Sequence, residues 1–243
     1  MLRRQFSGSR KFCAPHKVQW YNSRPSQICQ PLPANFEERN VKSRLLMEYD
    51  QTNWIYYNDN NNELRYILGE KGENILACIG VNPSTATPEK LDPTLKKVKR
   101  IAEFNEFDGW LMYNLYPQRA TDPTDLHEEI DYEHKRNNNF AIVQSIKNLK
   151  IKTIWIAWGD LIKKRNYLYF CLIDIYEQLK EENIEWKIVD IPTMSGNPRH
   201  PLYQKSESLL SLFNMENYIE NVAKKKIKGK KYEIVTINNV EFK

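Results

Sequence analysis

Short apolar runs alternate with stretches of helical periodicity between residues 75 and 191. In one such stretch Phe140, Val143, Ile146 and Leu149 recur every three residues, a spacing that places them on one face of a helix. Strands that alternate with amphipathic helices are typical of parallel β-α-β units. We therefore predict an α/β fold of three layers, α/β/α, around a central four-stranded parallel sheet. Its strands are expected at residues 75–81, 110–116, 153–158 and 186–191, and its helices at 95–104, 131–149 and 168–179.

The segments on either side of this pattern differ from it. Residues 1–45 contain four prolines and little periodicity, which predicts an irregular N-terminal arm. Two aromatic-rich runs within residues 53–68 flank a stretch of Asn and Asp, which is typical of a β-hairpin. Near the C-terminus we expect an amphipathic helix at 209–222 and a last strand at 232–237. The predicted units are a basic arm at 1–45, an α/β domain at 46–215 and a basic extension at 216–243.

The chain carries a net charge of +5 that is unevenly distributed. Residues 1–45 carry +7 and residues 199–243 carry +4, so the part between them carries −6. Much of the second charge comes from the C-terminal lysine run, residues 224–231. Two basic ends on an acidic body fit a polyanionic partner such as nucleic acid. The alternative is that the basic ends only keep the protein in solution.

Composition excludes several classes of protein. With 41% hydrophobic and 12% aromatic residues the chain can bury a core, so it is not disordered as a whole. Its longest apolar runs fall far short of the roughly 20 residues that span a bilayer, so no membrane partner is expected. The four cysteines have no CxxC spacing, so we expect neither a disulfide scaffold nor a metal or other cofactor. The sequence predicts a monomeric cytoplasmic protein at the nucleoid. The Arg- and Ser-rich first 17 residues leave mitochondrial import as an alternative.

Polar residues follow the predicted strands at the edge where a parallel sheet binds ligands. After the first strand comes Gly80-Val81-Asn82-Pro83-Ser84, in which glycine permits close backbone approach and proline holds Asn82 in a rigid turn. Because Asn and Ser are also good helix N-caps, the alternative is that this segment only caps the next helix. Neither a Walker loop nor a dinucleotide-binding GxGxxG motif is present.

Asn114 ends the second predicted strand, which is otherwise apolar. A buried amide needs hydrogen-bond partners. Its NH2 and C=O groups match the O4 acceptor and N3–H donor of uracil, whereas cytosine inverts that pattern. Asn114 is therefore a candidate for reading a base edge, and a satisfied core amide is the alternative.

Two more segments follow the third and fourth strands. Gly159 is typical of tight strand-to-helix packing, beside a Trp158 that we expect in the core. His200 stands between Arg199 and Pro201 in a loop without apolar periodicity. Its place at the same sheet edge makes it a candidate catalytic residue, and the alternative is a bystander. No other residue stands at metal-ligand spacing to it.

In this order, the four segments resemble those of the uracil-DNA glycosylase superfamily. That superfamily has a GxDP or GxNP turn after its first strand, an Asn ending the next strand, an LWG- or LG-type strand end, and a late HPS/HP loop. Here these are residues 80–84, 111–114, 157–159 and 200–202. The longer pattern NPSTA, DPT, NLYPQRATDP, WG and NPRHPLY is similar to a bacterial and phage family of uncharacterised proteins. The resemblance covers about residues 75–205.

The resemblance implies a monofunctional enzyme of base excision and DNA repair, on a uracil-DNA glycosylase-like fold, that flips a nucleotide into a pocket. Asn82 would position the attacking water, and His200 would stabilise charge on the base O2 as the glycosidic bond breaks. Asn114 would read the uracil edge, with Gly80 and Ser84 as further substrate contacts. The implied DNA contacts are Arg199, Leu202, Tyr203, Lys224, Lys225, Lys226 and Lys228, with Leu202 or Tyr203 as the wedge in the base stack.

The sequence departs from the superfamily pattern in ways that bear on substrate and mechanism. Ser84 stands where the most uracil-selective members carry a bulky Tyr that blocks a 5-methyl group, so the exclusion of thymine or modified pyrimidines is open. Asn82 replaces an Asp, so no general base is expected there and turnover should be slower. No cysteine stands near Gln118, so no iron–sulfur cluster is expected, and no strand-end lysine is placed for lyase chemistry.

The sequence thus favours hydrolysis of the N-glycosidic bond of uracil, or of a related pyrimidine, in DNA. One alternative keeps the fold and the hydrolytic chemistry but acts on a modified base or a nucleotide. The other is a non-catalytic nucleic-acid-binding module in which Asn82 only caps a helix. The pattern leaves open the strandedness, the opposing base and whether a protein inhibitor docks on the DNA-binding face.

Overall fold

A seven-stranded mixed sheet forms the centre of the computed structural model, which describes residues 53–232. The strands are β1 (Trp54–Asn58), β2 (Arg65–Glu70), β3 (Ile75–Gly80), β4 (Gly109–Asn114), β5 (Thr153–Ile156), β6 (Glu185–Val189) and β7 (Leu210–Leu212). Their order across the sheet is β1-β2-β4-β3-β5-β6-β7. The prediction of an α/β fold is confirmed at this level.

The prediction of a four-stranded parallel sheet is wrong in extent. The four predicted strands are present as β3, β4, β5 and β6, and they pair in parallel at the middle of the sheet. The hairpin of β1 and β2 adds to them, because β2 pairs antiparallel with β4 and so continues the sheet. On the other side β7 pairs antiparallel with β6. The hairpin itself was predicted correctly.

Helices cover both faces of the sheet, because side chains along each central strand alternate between two apolar clusters. In β3, Cys78 points into the cluster that α1 (Pro93–Phe104) covers, and Ile79 points into the opposite cluster. That second cluster is covered by α2 (Tyr132–Asn148) and α3 (Tyr167–Leu179). All three helices lie within two residues of their predicted bounds, since apolar spacing and capping residues such as Asp131 mark them in the sequence.

The C-terminal part of the domain differs from prediction. Residues 209–222 were expected to be one helix, but β7 occupies its start, and Asn214 then caps the helical segment by accepting a hydrogen bond from the Asn217 N–H. That segment consists of α4 (Met215–Tyr218), a π-helical turn (Ile219–Ala223) and α5 (Lys224–Ile227). Met215, Tyr218, Ile219 and Ala223 are buried, so residues 215–223 pack as part of the domain.

Some predicted features lie outside the described residues. These are the N-terminal arm at 1–45 and, apart from Tyr232, the last strand at 232–237. Among residues 53–232, none of the helices combines the length and the apolar character that a membrane span requires. Within the same residues no group of three or more His, Cys, Asp and Glu side chains is placed to hold a metal ion.

Candidate active site

One cavity of about 880 Å³ lies where the carboxyl ends of β3, β4 and β5 meet. Parallel strands end at the same edge, so the loops that follow them converge there. The cavity brings together eight of the residues predicted from the sequence, which come from three separate segments of the chain. They are Gly80, Asn82, Ser84, Asn114, Arg199, His200, Leu202 and Tyr203.

Asn82 is held at the cavity wall by its amide nitrogen. Its Nδ2 donates to the Ala120 carbonyl at 2.8 Å and to the Pro83 carbonyl at 3.2 Å. The backbone of this turn is fixed as well, because the Ala120 N–H donates to the Pro83 carbonyl at 2.9 Å. With Nδ2 committed to the protein, Oδ1 is the atom of the Asn82 amide left to accept a hydrogen bond from a water or ligand.

Asn114 is 1% exposed and lines the cavity from the end of β4. One terminal atom of its amide lies 3.3 Å from the Tyr113 carbonyl and 3.2 Å from the Asn82 carbonyl, so the hydrogen-bond network identifies that atom as Nδ2. Both N–H groups then have backbone acceptors, and Oδ1 is the atom of the Asn114 amide that can accept a further hydrogen bond. The Asn114 carbonyl itself accepts from the buried Asn138 amide at 2.8 Å, which fixes the end of the strand.

Gly80 leaves space for the side-chain amide of Asn114. A Cβ on Gly80 would lie 2.6 Å from the Met112 Cε and 3.1 Å from the Asn114 side chain. The first distance is shorter than a van der Waals contact allows. A side chain at Gly80 would therefore displace the flexible end of Met112 and crowd the Asn114 amide, so the contribution of Gly80 to the site is space.

Ser84 and Asp92 lie together at the cavity. The Ser84 hydroxyl donates to the Asp92 carboxylate, and the other oxygen of that carboxylate accepts the Leu95 N–H at 2.8 Å. Asp92 is therefore the N-cap of α1. The alternative that the Asn82-Pro83-Ser84 segment caps this helix is wrong, because the chain runs on for eight residues before α1 begins at Pro93.

Two arginines hold the backbone that follows Ser84. The Arg119 Nη1 donates to the Ser84 carbonyl at 2.8 Å and to the Ala86 carbonyl at 3.3 Å. The Arg65 Nη1 donates to the same Ala86 carbonyl at 3.1 Å. Arg65 lines the cavity although it is only 2% exposed.

The position directly after Trp158 requires a glycine, Gly159, for two reasons. Its φ is +60°, a left-handed conformation that is unfavourable for residues with a side chain. A Cβ there would also lie 3.1 Å from the Cβ and 3.4 Å from the backbone nitrogen of His200. Gly159 thus lets the loop that carries His200, residues 190–200 and here called the histidine loop, approach the end of β5.

His200 is positioned with a defined tautomer. Its Nδ1 accepts a hydrogen bond from the Leu202 N–H at 3.3 Å. In the neutral ring the proton is therefore on Nε2, which makes that nitrogen a donor. Burial lowers the pKa of His200, although the nearby Asp92 carboxylate partly offsets the effect. At neutral pH His200 is consequently an uncharged hydrogen-bond donor at the cavity.

The histidine loop is anchored by Asp160, directly after Gly159. Its carboxylate accepts from the Asn197 amide at 2.7 Å, the Thr193 hydroxyl at 2.9 Å and the Lys163 ammonium at 3.1 Å. Partial burial opposes ionisation of Asp160, but these hydrogen bonds outweigh it and hold the pKa of the carboxyl below its ordinary value. A charged Asp160 therefore ties residues 193–197 to the end of β5.

A buried chain of hydrogen bonds secures the same loop from the core. The Trp158 Nε1 donates to the Tyr218 hydroxyl at 3.3 Å, and this hydroxyl donates to the Asn197 Oδ1 at 2.7 Å. All three residues are at most 2% exposed. Buried polar groups that are fully paired fix one arrangement, so the helical segment after β7 helps to place His200.

Apolar side chains project at the rim of the cavity. Leu202 is 41% exposed and Tyr203 is 82% exposed, both on the 3₁₀ turn Pro201–Tyr203. Met194, in the preceding loop, is fully exposed. Arg199 is held near them by donation from its Nε to the Ile191 carbonyl at 2.8 Å.

Of the basic residues that the sequence singled out, only Arg199 lines the cavity. The described part of the C-terminal lysine run does not line the cavity, and its Lys224 pairs with Glu220 and lies 4.0 Å from Glu177. By contrast, α1 packs against the turn Pro201–Tyr203. Three of its four partly or fully exposed cations form the α1 basic row, which consists of Lys96, Lys97 and Arg100, and the fourth, Lys99, pairs with Glu70 at 2.8 Å.

Several residues of the site were missed by sequence reasoning. Asp92 stands in the DPT triplet and Asp160 directly follows the Trp-Gly pair, so proximity to a motif could have pointed to both. Asn197 likewise begins the NPRHPLY segment, whereas Arg65 carried no such signal, because its role depends on a contact with a distant segment.

Comparison with known proteins gives a family and no activity. Residues 65–202 match the model of a family described as "Protein of unknown function (DUF1643)". No curated protein matches the chain. The matched residues include β2 to β6 and most of the cavity. Because this match covers more than half of the 243 residues, the chain belongs to the DUF1643 family.

Proposed function

We propose that this protein is a monofunctional DNA glycosylase that hydrolyses the N-glycosidic bond of uracil, or of a related pyrimidine, after base flipping. The observation that carries the proposal is the convergence of Asn82, Asn114 and His200 in one cavity, each with its orientation fixed by the backbone. The motif order that resembles the uracil-DNA glycosylase superfamily supports it. The central set of four parallel strands between helices also supports the proposal, and we propose that the domain has a uracil-DNA glycosylase-like fold.

Asn82 is suited to hold the nucleophile. Glycosidic hydrolysis needs a water placed against the C1′ atom of the sugar, and precise placement contributes a large part of such a rate enhancement. Because the Nδ2 of Asn82 is bound to the Ala120 carbonyl, its Oδ1 can orient a water by accepting one of its protons. An amide does not take up the proton, so this site positions water without general-base catalysis.

His200 is suited to stabilise the departing base. Negative charge develops on the base O2 as the bond breaks, and a preorganised donor lowers the energy of that state. The Nε2–H of a neutral His200 supplies such a donor, because Nδ1 is occupied by the Leu202 N–H. Burial strengthens the interaction by reducing competition from water.

Asn114 sets a looser selectivity than the sequence predicted. A bidentate pair with uracil needs a free N–H on the amide, and both N–H groups of Asn114 are directed to backbone carbonyls. Its Oδ1 can accept the N3–H of uracil or thymine, and equally an exocyclic N–H of cytosine. Together with the small Ser84, this arrangement favours a range of pyrimidines over strict specificity for uracil.

The rim provides features for holding DNA. Tyr203, with Leu202 beside it, is exposed where a wedge would fill the gap left by a flipped base. The α1 basic row lies next to this turn and can neutralise phosphates. Asp122 and Asp125 also line the cavity, so we expect the DNA backbone to run along α1 and away from these carboxylates.

A second candidate function is supported by the shape of the cavity. Its volume of about 880 Å³ is near the upper end of the ~300–1,000 Å³ typical of small-molecule sites. A cavity of this size with Ser84 at its wall can accept a modified base or a whole nucleotide on the same hydrolytic chemistry. A binding module without catalysis is less well supported, since Asn82 does not cap α1.

The proposal is tested by excision from labelled oligonucleotides that carry one uracil, single-stranded or opposite G or A, followed by heating in alkali. We expect cleavage at the uracil, with a loss of about 100-fold in the single-turnover rate for Asn82→Ala and for His200→Ala. Asn61→Ala, in the exposed hairpin turn, is the matched control and should keep the wild-type rate. Intact substrates with both the wild type and Asn61→Ala, at concentrations that shift the DNA in a gel, would refute the uracil proposal.

A further inference from the structure

Arg65 is a buried cation that the proposed glycosylase mechanism does not use. It is 2% exposed, begins β2 and lines the cavity. Its Nη1 makes one hydrogen bond, to the Ala86 carbonyl at 3.1 Å. Its buried Nε has no hydrogen-bond partner within the described part of the chain. A guanidinium has five N–H donors, so most of the hydrogen-bonding capacity of Arg65 is unused.

The charge around Arg65 is also uncompensated. Arg119 is close enough to lower the pKa of Arg65 further, after burial itself, to about 10, and Asp92 and Tyr56 offset this only in part. The Asp92 carboxylate is already engaged by the Ser84 hydroxyl and the Leu95 N–H. Of the ion pairs formed within residues 53–232, none includes Arg65 or Arg119. Around Arg65 itself, two guanidiniums and one carboxylate leave a net positive charge. The carboxylates of Asp122, Asp125 and Asp160 also line the cavity, but they are not among the charges that shift the pKa of Arg65.

A purely structural role does not account for this arrangement. Arg119 already donates to the Ala86 carbonyl and also to the Ser84 carbonyl, so the backbone there is held without Arg65. Burying a charge without a partner is unfavourable, and a neutral side chain of the same length could fill the same space. A ligand that brings negative charge into the cavity would supply the missing partner.

We propose that Arg65 is the receptor for an oxyanion of the substrate, a phosphate or a carboxylate, bound within the same cavity as the base. The planar guanidinium matches both groups through paired N–H donors. The inference rests on the proposed function only in that it places the substrate in this cavity. The oxyanion can come from the phosphate of a nucleotide or from an acidic substituent on the base, and the two sources are separable by experiment.

The test is isothermal titration calorimetry of the full chain with inorganic phosphate and with two ligand pairs. The first pair is deoxyuridine 5′-monophosphate against deoxyuridine, and the second is 5-carboxyuracil against uracil. We expect saturable binding of phosphate, and at least a tenfold preference for the charged member of one pair, since hydrogen bonds to charged groups are among the strongest. Preference in the first pair identifies a nucleotide phosphate, and preference in the second identifies a substituent of the base.

Two variants separate this role from structural support. Arg65→Met should abolish phosphate binding and reduce the preference to about one, with a melting temperature no lower than that of the wild type, because a buried unpaired charge is removed. Arg165→Met is the control, since the Arg165 guanidinium is occupied by the carbonyls of Thr124, Leu126 and His127. It should keep the wild-type affinity for phosphate.

Equal affinity of the wild type for the charged and neutral members of both pairs would overturn the proposal, and this comparison requires no variant. Binding of phosphate that persists in Arg65→Met would also overturn it. Because the assay measures binding only, its failure is distinct from failure of the glycosylase proposal. A protein that excises uracil and ignores oxyanions refutes this inference alone, and one that binds oxyanions without excising uracil refutes the excision of uracil alone.

Discussion

Gly159 is the residue at which backbone conformation and the candidate chemistry are most directly linked. Gly159→Ala places a side chain at φ +60°, a conformation that costs an L-residue about 1–2 kcal/mol. For a domain of this size, 1 kcal/mol lowers the melting temperature by about 2–4 °C, so the expected decrease is about 2–8 °C. The new Cβ would also lie 3.1 Å from the Cβ of His200, so the histidine loop must move by a few tenths of an ångström.

Gly196→Ala is the matched control for this change. Gly196 has φ +78°, so alanine there carries a similar conformational cost. The nearest heavy atom to its new Cβ is the Val222 Cγ2 at 3.8 Å, an ordinary contact. The two variants should therefore lose similar stability, and only Gly159→Ala should displace His200.

The assays are thermal unfolding, the single-turnover rate of uracil excision, and the NMR signal of the His200 imidazole. We expect Gly159→Ala to shift the imidazole signal and to lose about tenfold or more in rate, because a misplacement of ~1 Å can cost about 100-fold. Gly196→Ala should keep both the signal and the rate. If the two variants have the same rate and an unmoved His200 signal, the argument that Gly159 positions the histidine is wrong.

Three further predictions concern the core, the pH dependence and the DNA surface. Tyr218→Phe leaves the buried Asn197 Oδ1 without its donor and should lower the free energy of unfolding in urea by about 1–3 kcal/mol, whereas an unchanged value would contradict the buried chain of hydrogen bonds. Because burial lowers the pKa of His200, the unfolded chain binds a proton first as the pH falls. The contribution of His200 to the free energy of unfolding is therefore complete above about pH 6.5 and is lost as the pH falls through the lowered pKa. When the free energy of unfolding is measured as a function of pH, His200→Gln should remove this decrease. Alanine substitution of the α1 basic row should weaken DNA binding and reduce its salt dependence more than substitution of the C-terminal lysine run, and the opposite order would place the DNA elsewhere.

Much of the framework could be predicted from the sequence because local patterns determine it. Apolar runs of strand length and helical spacing placed β3 to β6 and the three long helices. The positions of Asn82, Asn114 and His200 at or after the ends of β3, β4 and β6 were enough to expect them together, since parallel strands end at one edge.

The features of the fold and the site that could not be predicted from the sequence depend on contacts between distant segments. The run Leu209-Leu210-Ser211-Leu212-Phe213 fits a helix or a strand equally well, and pairing with β6 decides for the strand. The orientation of the Asn114 amide depends on the Asn82 carbonyl, 32 residues away in the chain. The extent of the sheet likewise depended on where the hairpin docks, because a hairpin pattern does not specify its neighbour.

Intact-mass spectrometry of the products shows whether side chains of this cavity break an N-glycosidic bond by hydrolysis. A uracil-containing oligonucleotide is incubated with the wild type or with Asn82→Ala and analysed without alkali. We expect free uracil and an unbroken strand that carries an abasic site, in amounts at least ~100-fold lower with the variant. A strand that keeps its uracil, or one that is cut without release of the free base, would refute hydrolysis of the glycosidic bond at this site.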